Sequence, residues 1–270
     1  MQYARELAVA LEAAVVADRL IMKHYEKLVV IPDAPANIST DTDRQSQETI
    51  LQRLHAVFPN DALLAEENTP TAAAVPKSGN RLWIIDPIDG TRGFARKNGE
   101  FSVMIAFVED GKVAVGVVTE PAKDRRTYAS LGNGCWKQDG SDPAARCRVT
   151  AVGELADATV TQSHTKKGAP PGRELRAIAP KRVIETYSAG VKLAQVARGE
   201  AEIYLNTYDA CHDWDIAAGH LLVDEAGGHV TNLLGQAPRY GLPGAWQPHG
   251  LVASNGKLHA AALAALAAAR

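Results

Sequence analysis

The chain has 270 residues, enough for one large domain or two small ones. At 46% hydrophobic and 22% charged it has the balance of a folded globular protein, not of a disordered or fibrous one. Its 29 basic and 31 acidic side chains leave a net charge of −2, which argues against a dedicated nucleic-acid binder. Cys135, Cys147 and Cys211 are odd in number and form no CxxC pair, so a disulfide framework is not expected and a reducing, cytoplasmic setting is.

The opening "MQYARELAVALEAAVVADRLIMKHY" carries Arg5, Glu6, Glu12, Asp18 and Arg19 inside its apolar run, which a signal peptide does not tolerate. Leu7, Leu11, Ala14, Ile21, Tyr25 and Leu28 recur at helical spacing, so the segment predicts an amphipathic helix. A second helix is expected over "TDRQSQETILQRLHAVFP", with Thr42 and Asp43 at its start and Pro59 at its end. "DALLAEE" reads as a short strand ending in Glu66 and Glu67, "TPTAAAVPKSGN" as a mobile loop, and "RLWIID" as a buried strand. Two β-branched runs around Glu109-Asp110-Gly111-Lys112 predict a hairpin, and "RRTYASLGNGCWKQDG" another pair of strands. The first part is therefore α+β, two helices with a largely antiparallel sheet. Downstream, "DATVTQSH", "RVIETYSAG" and "EIYLNTY" read as strands. "SAGVKLAQVARG" reads as a helix capped by Ser188 and stopped by Gly199, and "WDIAAGHLLVDEAGG" as a helix stopped by Gly227-Gly228. "HGLVASNGKLHAAAL" predicts a strand and a last helix. Alternation of strand and helix makes the second part α/β. A composition shift near Arg146–Ala158 divides the expectation into an α+β unit, 1–148, and an α/β unit, 149–270. No stretch is long and apolar enough to span a membrane.

The chemistry sits in acids at element ends: Asp43, Glu66, Glu67, Asp86, Asp89 and Asp215. Strand ends and helix starts are where α/β-type folds place ligand sites. Taken singly, such an acid is ordinarily a cap or turn residue, and Asp43 and Asp215 are open to reading as N-caps. Asp86 and Asp89 in "WIIDPIDGTRGF" are harder to dismiss, because two carboxylates so close repel unless a cation or proton intervenes. Pro87 stiffens that loop, Gly90 lets the backbone approach a ligand, and Thr91 adds a hydroxyl. The backbone N–H groups of Gly90 and Thr91 are candidates for holding a phosphate. All-oxygen donors select Mg²⁺, Mn²⁺ or Ca²⁺ over zinc. Cys211 beside His212 invites a Cys–His nucleophile reading, although adjacency in sequence is more often incidental.

"WIIDPIDGT" resembles the signature of the lithium-sensitive, Mg²⁺-dependent phosphomonoesterases of the inositol monophosphatase superfamily. "WDIAAGHLLVDEAGG" resembles the second signature. "LLAEE" is similar to the family's Gly-Glu-Glu with Ala65 in place of glycine, and "STDTD" to its helix-start Thr-Asp pair. All four motifs occur in the family's order, across nearly the whole chain. The resemblance implies a layered αβαβα sandwich of the sugar-phosphatase type, holding two or three Mg²⁺ ions with Mn²⁺ as a substitute. It implies that Glu66, Asp86, Asp89 and Asp215 bind metal, with the backbone carbonyl of Ile88. It further implies that Asp43 and Thr91, together with Glu66, activate water, and that Asp89, Gly90, Thr91 and Asp215 contact the substrate phosphate. The expected partner is a small phosphate ester, not a nucleic-acid polymer or a membrane. Homodimers occur in the family, while nothing in this sequence fixes the oligomeric state.

Within the superfamily, "NGEFSVMIA" and "SAGVKLAQVARGEAEIY" look most like 3′(2′),5′-bisphosphate nucleotidases, as does His220 in "WDIAAGH". Lys192 is then a candidate to neutralise a second phosphate, its bland alternative being a solvated helix lysine. Arg92, Arg96 and Lys97 have the same two readings, a field near the cleft or a surface run. "LNTYDACHDWD" departs from the pattern, with Tyr208 where inositol monophosphatases place an acid for the ring hydroxyls. The leading expectation is hydrolysis of 3′-phosphoadenosine 5′-phosphate to AMP. The alternatives are an inositol-, sugar- or histidinol-phosphate phosphatase, or an inactive metal- or phosphate-binding regulator.

Overall fold

The computed structural model describes residues 2–35, 38–209 and 211–269. Helix α1 (Ala4–Lys27) and α2 (Asp41–Val57) lead into β1 (Ala62–Ala65), α3 (Pro70–Ala74), β2 (Arg81–Asp89) and α4 (Thr91–Ala95). Strands β3 (Ser102–Glu109), β4 (Lys112–Glu120), β5 (Arg125–Ser130), β6 (Cys135–Asp139) and β7 (Ala145–Arg146) follow. The second part runs β8 (Thr159–Gln162), α5 (Arg173–Ile178), β9 (Arg182–Glu185), α6 (Ala189–Ala197), β10 (Ile203–Asn206) and β11 (Cys211–His212). It then continues through α7 (Asp213–Glu225), β12 (His229–Thr231), β13 (Trp246–Gln247), β14 (Leu251–Ser254) and α8 (His259–Ala268).

Strands β1 to β7 form one seven-stranded sheet in chain order, with β1 parallel to β2 and every later pair antiparallel. Asp110 and Gly111 both take positive φ, as a two-residue hairpin turn matched to strand twist requires. A second sheet, in the order β12-β14-β10-β8-β9, is parallel through β10, β8 and β9 and antiparallel through β14 and β12. Helices α1 and α2 cover the outer face of the first sheet, α6 and α7 lie between the sheets, and α5 and α8 cover the second. This is the αβαβα sandwich.

Alternation along the central strands shows why their sequences read as unbroken apolar runs. On β3, Val103, Ile105 and Phe107 enter the α1/α2 core, while Met104, Ala106 and Val108 enter the α6/α7 core. Both faces are buried, so neither set of positions is polar. On α1 the fully buried stripe is Ala10, Ala13, Ala14, Ala17 and Ile21, with Leu7, Leu11, Tyr25 and Leu28 at its flanks. Small residues let α1 lie close on α2 and the sheet.

Several local expectations are corrected. Residues 69–80, expected as a mobile loop, open with the short helix α3, started by Pro70 and tied to α2 by Thr71, whose N–H and hydroxyl donate to Glu48. Helix α5, the two-residue strand β7, β12 and the β11/β13 ribbon lack a legible sequence period and were not expected. Among the described residues no helix is long and apolar enough to cross a membrane.

Candidate active site

The β2 loop is built around a bulge. Asp86 pairs with Met104 and Asp89 with Ser102, so three steps on β2 oppose two on β3. In a regular strand, residues three apart point to opposite faces; the extra residue returns Asp86 and Asp89 to the same face. That face looks toward α6 and α7. Gly90 follows at φ 83, and a Cβ there would stand 2.7 Å from Glu100 O and 3.1 Å from Ser188 Cβ. Only glycine fits both the left-handed turn and the close approach.

Each acid is held by its own donors. Asp89 Oδ2 accepts from Gly190 N at 2.7 Å, Ser102 Oγ at 3.3 Å, and the Ser188 hydroxyl. Asp86 Oδ1 accepts from Ile88 N at 3.1 Å. Asp43 is not the N-cap of α2; Thr40 is, and Asp43, three residues on, accepts Thr40 N at 2.9 Å through Oδ2. Its Oδ1 lies 3.1 Å from Thr91 Oγ1, which also lies 3.0 Å from Ile88 O. Asp215 repeats the arrangement on α7, where His212 is the N-cap and Asp215 Oδ2 accepts His212 N at 2.6 Å.

Glu66, Asp86, Ile88, Asp89, Gly90, Thr91 and Asp215 all line one cleft of about 690 Å³. Asp43 stands behind it through Thr91. Burial, reinforced by Asp215, Glu67, Asp43 and Asp89, pushes the Glu66 carboxyl up to about 8. Burial beside Glu66, Asp89 and Asp215 pushes Asp86 well above the carboxylate range. Asp89 is raised mainly by burial, against the pull of Ser188 and Gly190, and Asp43 is raised by burial against its threonine donors. Buried acids that raise one another carry a charge deficit that a hard cation fills. Among the described residues no three His, Cys, Asp or Glu side chains form a ready cage for a single ion. The donor set suits Mg²⁺ all the same, since that ion takes one or two carboxylates and fills its remaining positions with water and phosphate oxygen.

Lys192 is neither solvated nor reaching into open space. It is 1% exposed, and its ammonium donates to Ser163 Oγ at 3.1 Å, Thr186 O at 2.9 Å and Tyr187 O at 3.2 Å. Burial lowers it to about 8, partly offset by Asp89. Arg92 lines the cleft, with Nε donating to Ala34 O and its guanidinium 5.2 Å from the Tyr187 ring centroid. Arg96 donates to Tyr187 Oη at 2.6 Å, and Lys97 caps the carbonyl of Glu26 at the end of α1. His164, also in the lining, packs on Tyr187 and meets Glu100 at 2.6 Å. His212, also in the lining, stacks on Trp214, centroids 4.5 Å apart and planes within 5°, with Trp246 edge-on. Tyr208 stands at the mouth, 62% exposed. Burial and Asp215 raise the Cys211 thiol to about 12, so it stays protonated and poorly nucleophilic.

Two sets of site residues escaped the sequence. Ser188 and Gly190 were legible as a helix start but not as the clamp on Asp89, which lies about a hundred residues away. Asp213 accepts Gly241 N at 2.8 Å and Gln247 Nε2 at 2.6 Å, hanging the 239–247 loop from the residues just before Asp215.

The model of the inositol monophosphatase family matches residues 2–270. The chain belongs to that family. A histidinol-phosphatase of Mycobacterium tuberculosis is 34% identical over 94% of this chain and 95% of that one. The 3′(2′),5′-bisphosphate nucleotidase CysQ of Buchnera aphidicola is 31% identical over 84% of each. Among solved structures, a Thermotoga maritima IMPase superposes with a TM-score of 0.81 at 28% identity, covering 98% of both chains. Family membership gives the reaction class, a metal-dependent phosphomonoesterase. The relatives carry different substrate names, and their identities lie too close together to choose among them.

Proposed function

We propose that the chain hydrolyses 3′-phosphoadenosine 5′-phosphate to AMP and phosphate. The supporting observation is the cleft lining beyond the acid cluster. That lining offers Arg92, His164 and Lys192 together with the His212–Trp214 stack, and among the described lining residues the acids are Glu66, Asp86, Asp89 and Asp215. A leaving group with a flat ring and a second anionic group suits that surface. Among the described lining residues no acid outside the cluster is offered to a polyol's hydroxyls or to an ammonium, since Glu100 and Glu67 stand behind His164 and Ser39.

Glu66, Asp86, Asp89, Asp215 and the carbonyl of Ile88 are the groups to hold two or three Mg²⁺ ions, which when bound supply Lewis acidity and neutralise phosphoryl charge. Thr91 orients the attacking water through its hydroxyl, itself fixed between Asp43 Oδ1 and Ile88 O. Asp43, raised by burial, is a base able to take a proton relayed by Thr91, and Glu66 is a second base at the cleft surface. The amides of Gly90 and Thr91 bind phosphate oxygens, and Asp89 and Asp215 frame them. Lys192, its donors taken by Ser163, Thr186 and Tyr187, acts through its field and by bracing the lining, which leaves Arg92 to meet the second phosphate.

Phosphate release should be measured across 3′-phosphoadenosine 5′-phosphate, histidinol phosphate, inositol 1-phosphate and fructose 1,6-bisphosphate. The bisphosphate nucleotide should have the highest kcat/KM, and Arg92→Gln should raise its KM while sparing 3′-AMP. Far faster turnover of inositol 1-phosphate or histidinol phosphate would sink the assignment. Histidinol phosphate is the second reading, because the His212–Trp214 stack also fits an imidazole ring.

A further inference from the structure

We infer that Cys135 and Cys147 are a redox-active pair that a hydroperoxide converts into a cross-strand disulfide, a modification site separate from the cleft and independent of the substrate assignment. The register pairs Trp136 with Arg146 and Lys137 with Ala145, so the next step sets Cys135 opposite Cys147. The backbone confirms it, with Cys147 N donating to Cys135 O at 2.8 Å. Directly opposed residues of an antiparallel ladder share a face, and both side chains enter the same core cluster. A hydrogen-bonded pair holds its Cα atoms about 5.5 Å apart, inside the disulfide range, although its Cβ atoms must close slightly. The bond therefore forms with modest strain and is readily reduced.

The two thiols are chemically unequal. Cys147 lies in the field of Arg198 and Lys137, which favours its thiolate, whereas Cys135 is the more deeply buried of the two. Cys147, next to the exposed edge strand, is the attacking sulfur and Cys135 the resolving one. Both are buried as folded, at 6% and 0% exposure. The way in is the sheet edge: β7 is two residues long, and every residue from Ser141 to Arg146 is exposed. Such an edge opens locally at small cost, and opening uncovers Cys147 first.

The chemistry balances in two steps. The Cys147 thiolate attacks the hydroperoxide, the O–O bond breaks, and Cys147 becomes a sulfenic acid while the alkoxide leaves as alcohol with a proton from solvent. Cys135 then attacks the sulfenic sulfur, the S–S bond forms, and the S–O bond breaks with hydroxide taking the Cys135 proton as water. Two thiols lose two electrons and the hydroperoxide is reduced to alcohol and water. Cys211 takes no part; it sits in the cleft wall with Asn206 Nδ2 at 2.7 Å from its sulfur.

The test treats the full chain with hydrogen peroxide, then measures intact mass, thiol count after unfolding, and peptide maps without reductant. The expected product is a monomer about 2 Da lighter, with the three free thiols reduced to one. A Cys135–Cys147 linked peptide should appear, and dithiothreitol should reverse the change. Cys211→Ser should still form the link, whereas Cys147→Ser and Cys135→Ser should each abolish it. Three intact thiols under conditions that oxidise glutathione, oxygen adducts without the mass loss, or a disulfide that includes Cys211 would each overturn the inference.

Discussion

Replacing Glu66 by Gln tests whether the acid cluster is held together at a cost that a cation offsets. Burial and four neighbouring acids move Glu66 from 4.5 to about 8. Between those values the cation-free native chain keeps a proton on Glu66 that the unfolded chain has released. The native state is therefore favoured at low pH, and stability falls as pH rises through the folded value. The interval is about 3.5 units, and at ~1.36 kcal/mol per unit the loss by pH 9 is at most ~5 kcal/mol. Glu66→Gln removes the titration. In the presence of chelator the variant should melt several degrees above the parent at pH 9, and the gap should close below pH 5. With Mg²⁺ the order should reverse, because the parent exchanges its proton for the ion and the variant lacks that ligand. Calorimetric titration of Mg²⁺ at pH 7 in two buffers should show net proton release, smaller for Glu66→Gln than for the parent. A chelated parent that is as stable at pH 9 as at pH 6, relative to the variant, would refute the reasoning.

Asp18 accepts Thr119 Oγ1 at 2.7 Å on the far side of the first sheet, and burial raises it from 3.8 to about 7. Its penalty grows as pH rises from 4 to 7, so Asp18→Asn should gain up to ~4 kcal/mol above pH 7 in urea titrations, nothing below pH 4, and leave turnover unchanged. Gly90→Ala forces a Cβ against Glu100 O and should lower kcat by roughly 100-fold with circular dichroism unchanged, since displacements of about an ångström at a reacting centre cost that much. Cys211→Ser should keep full activity under steady-state assay; loss of turnover with metal binding retained would restore the nucleophile reading. Lys192→Met should cost about 2–4 kcal/mol in thermal or urea unfolding, because Ser163, Thr186 and Tyr187 lose a charged donor.

What was legible in the sequence was whatever local chemistry dictates. The Asp110-Gly111 turn, the Ser188 start of α6 and the apolar runs of β2 to β4 each depend on neighbours a few residues away. The four motifs carried the family because they occur together and in the family's order. The bulge was not legible: nothing within Asp86-Pro87-Ile88-Asp89 states that β3 will oppose it with one residue fewer. Lys192 was only partly legible for a related reason: its helical spacing does not reveal that Ser163, Thr186 and Tyr187 close over its ammonium. The β11/β13 ribbon is two residues long, too short for any period, yet it sets Trp246 against His212.

Asp43 and Asp215 show why the choice between helix cap and site residue is a false one. Each is the third residue of a helix, and each uses Oδ2 to accept the N–H of the N-cap residue, Thr40 or His212. That bond satisfies a donor the helix cannot, and it also fixes the carboxylate's rotamer. Oδ1 is left with a set direction, toward Thr91 for Asp43. A capping carboxylate is therefore a pre-aimed ligand, and the helix start supplies the positioning that a loop would have to build from other side chains. The same pattern in sequence marks ordinary helix starts throughout proteins. What separates these two is the surroundings of the second oxygen: for Asp43 a hydroxyl at the cleft surface, and for Asp215 a cleft shared with Glu66, Asp86 and Asp89.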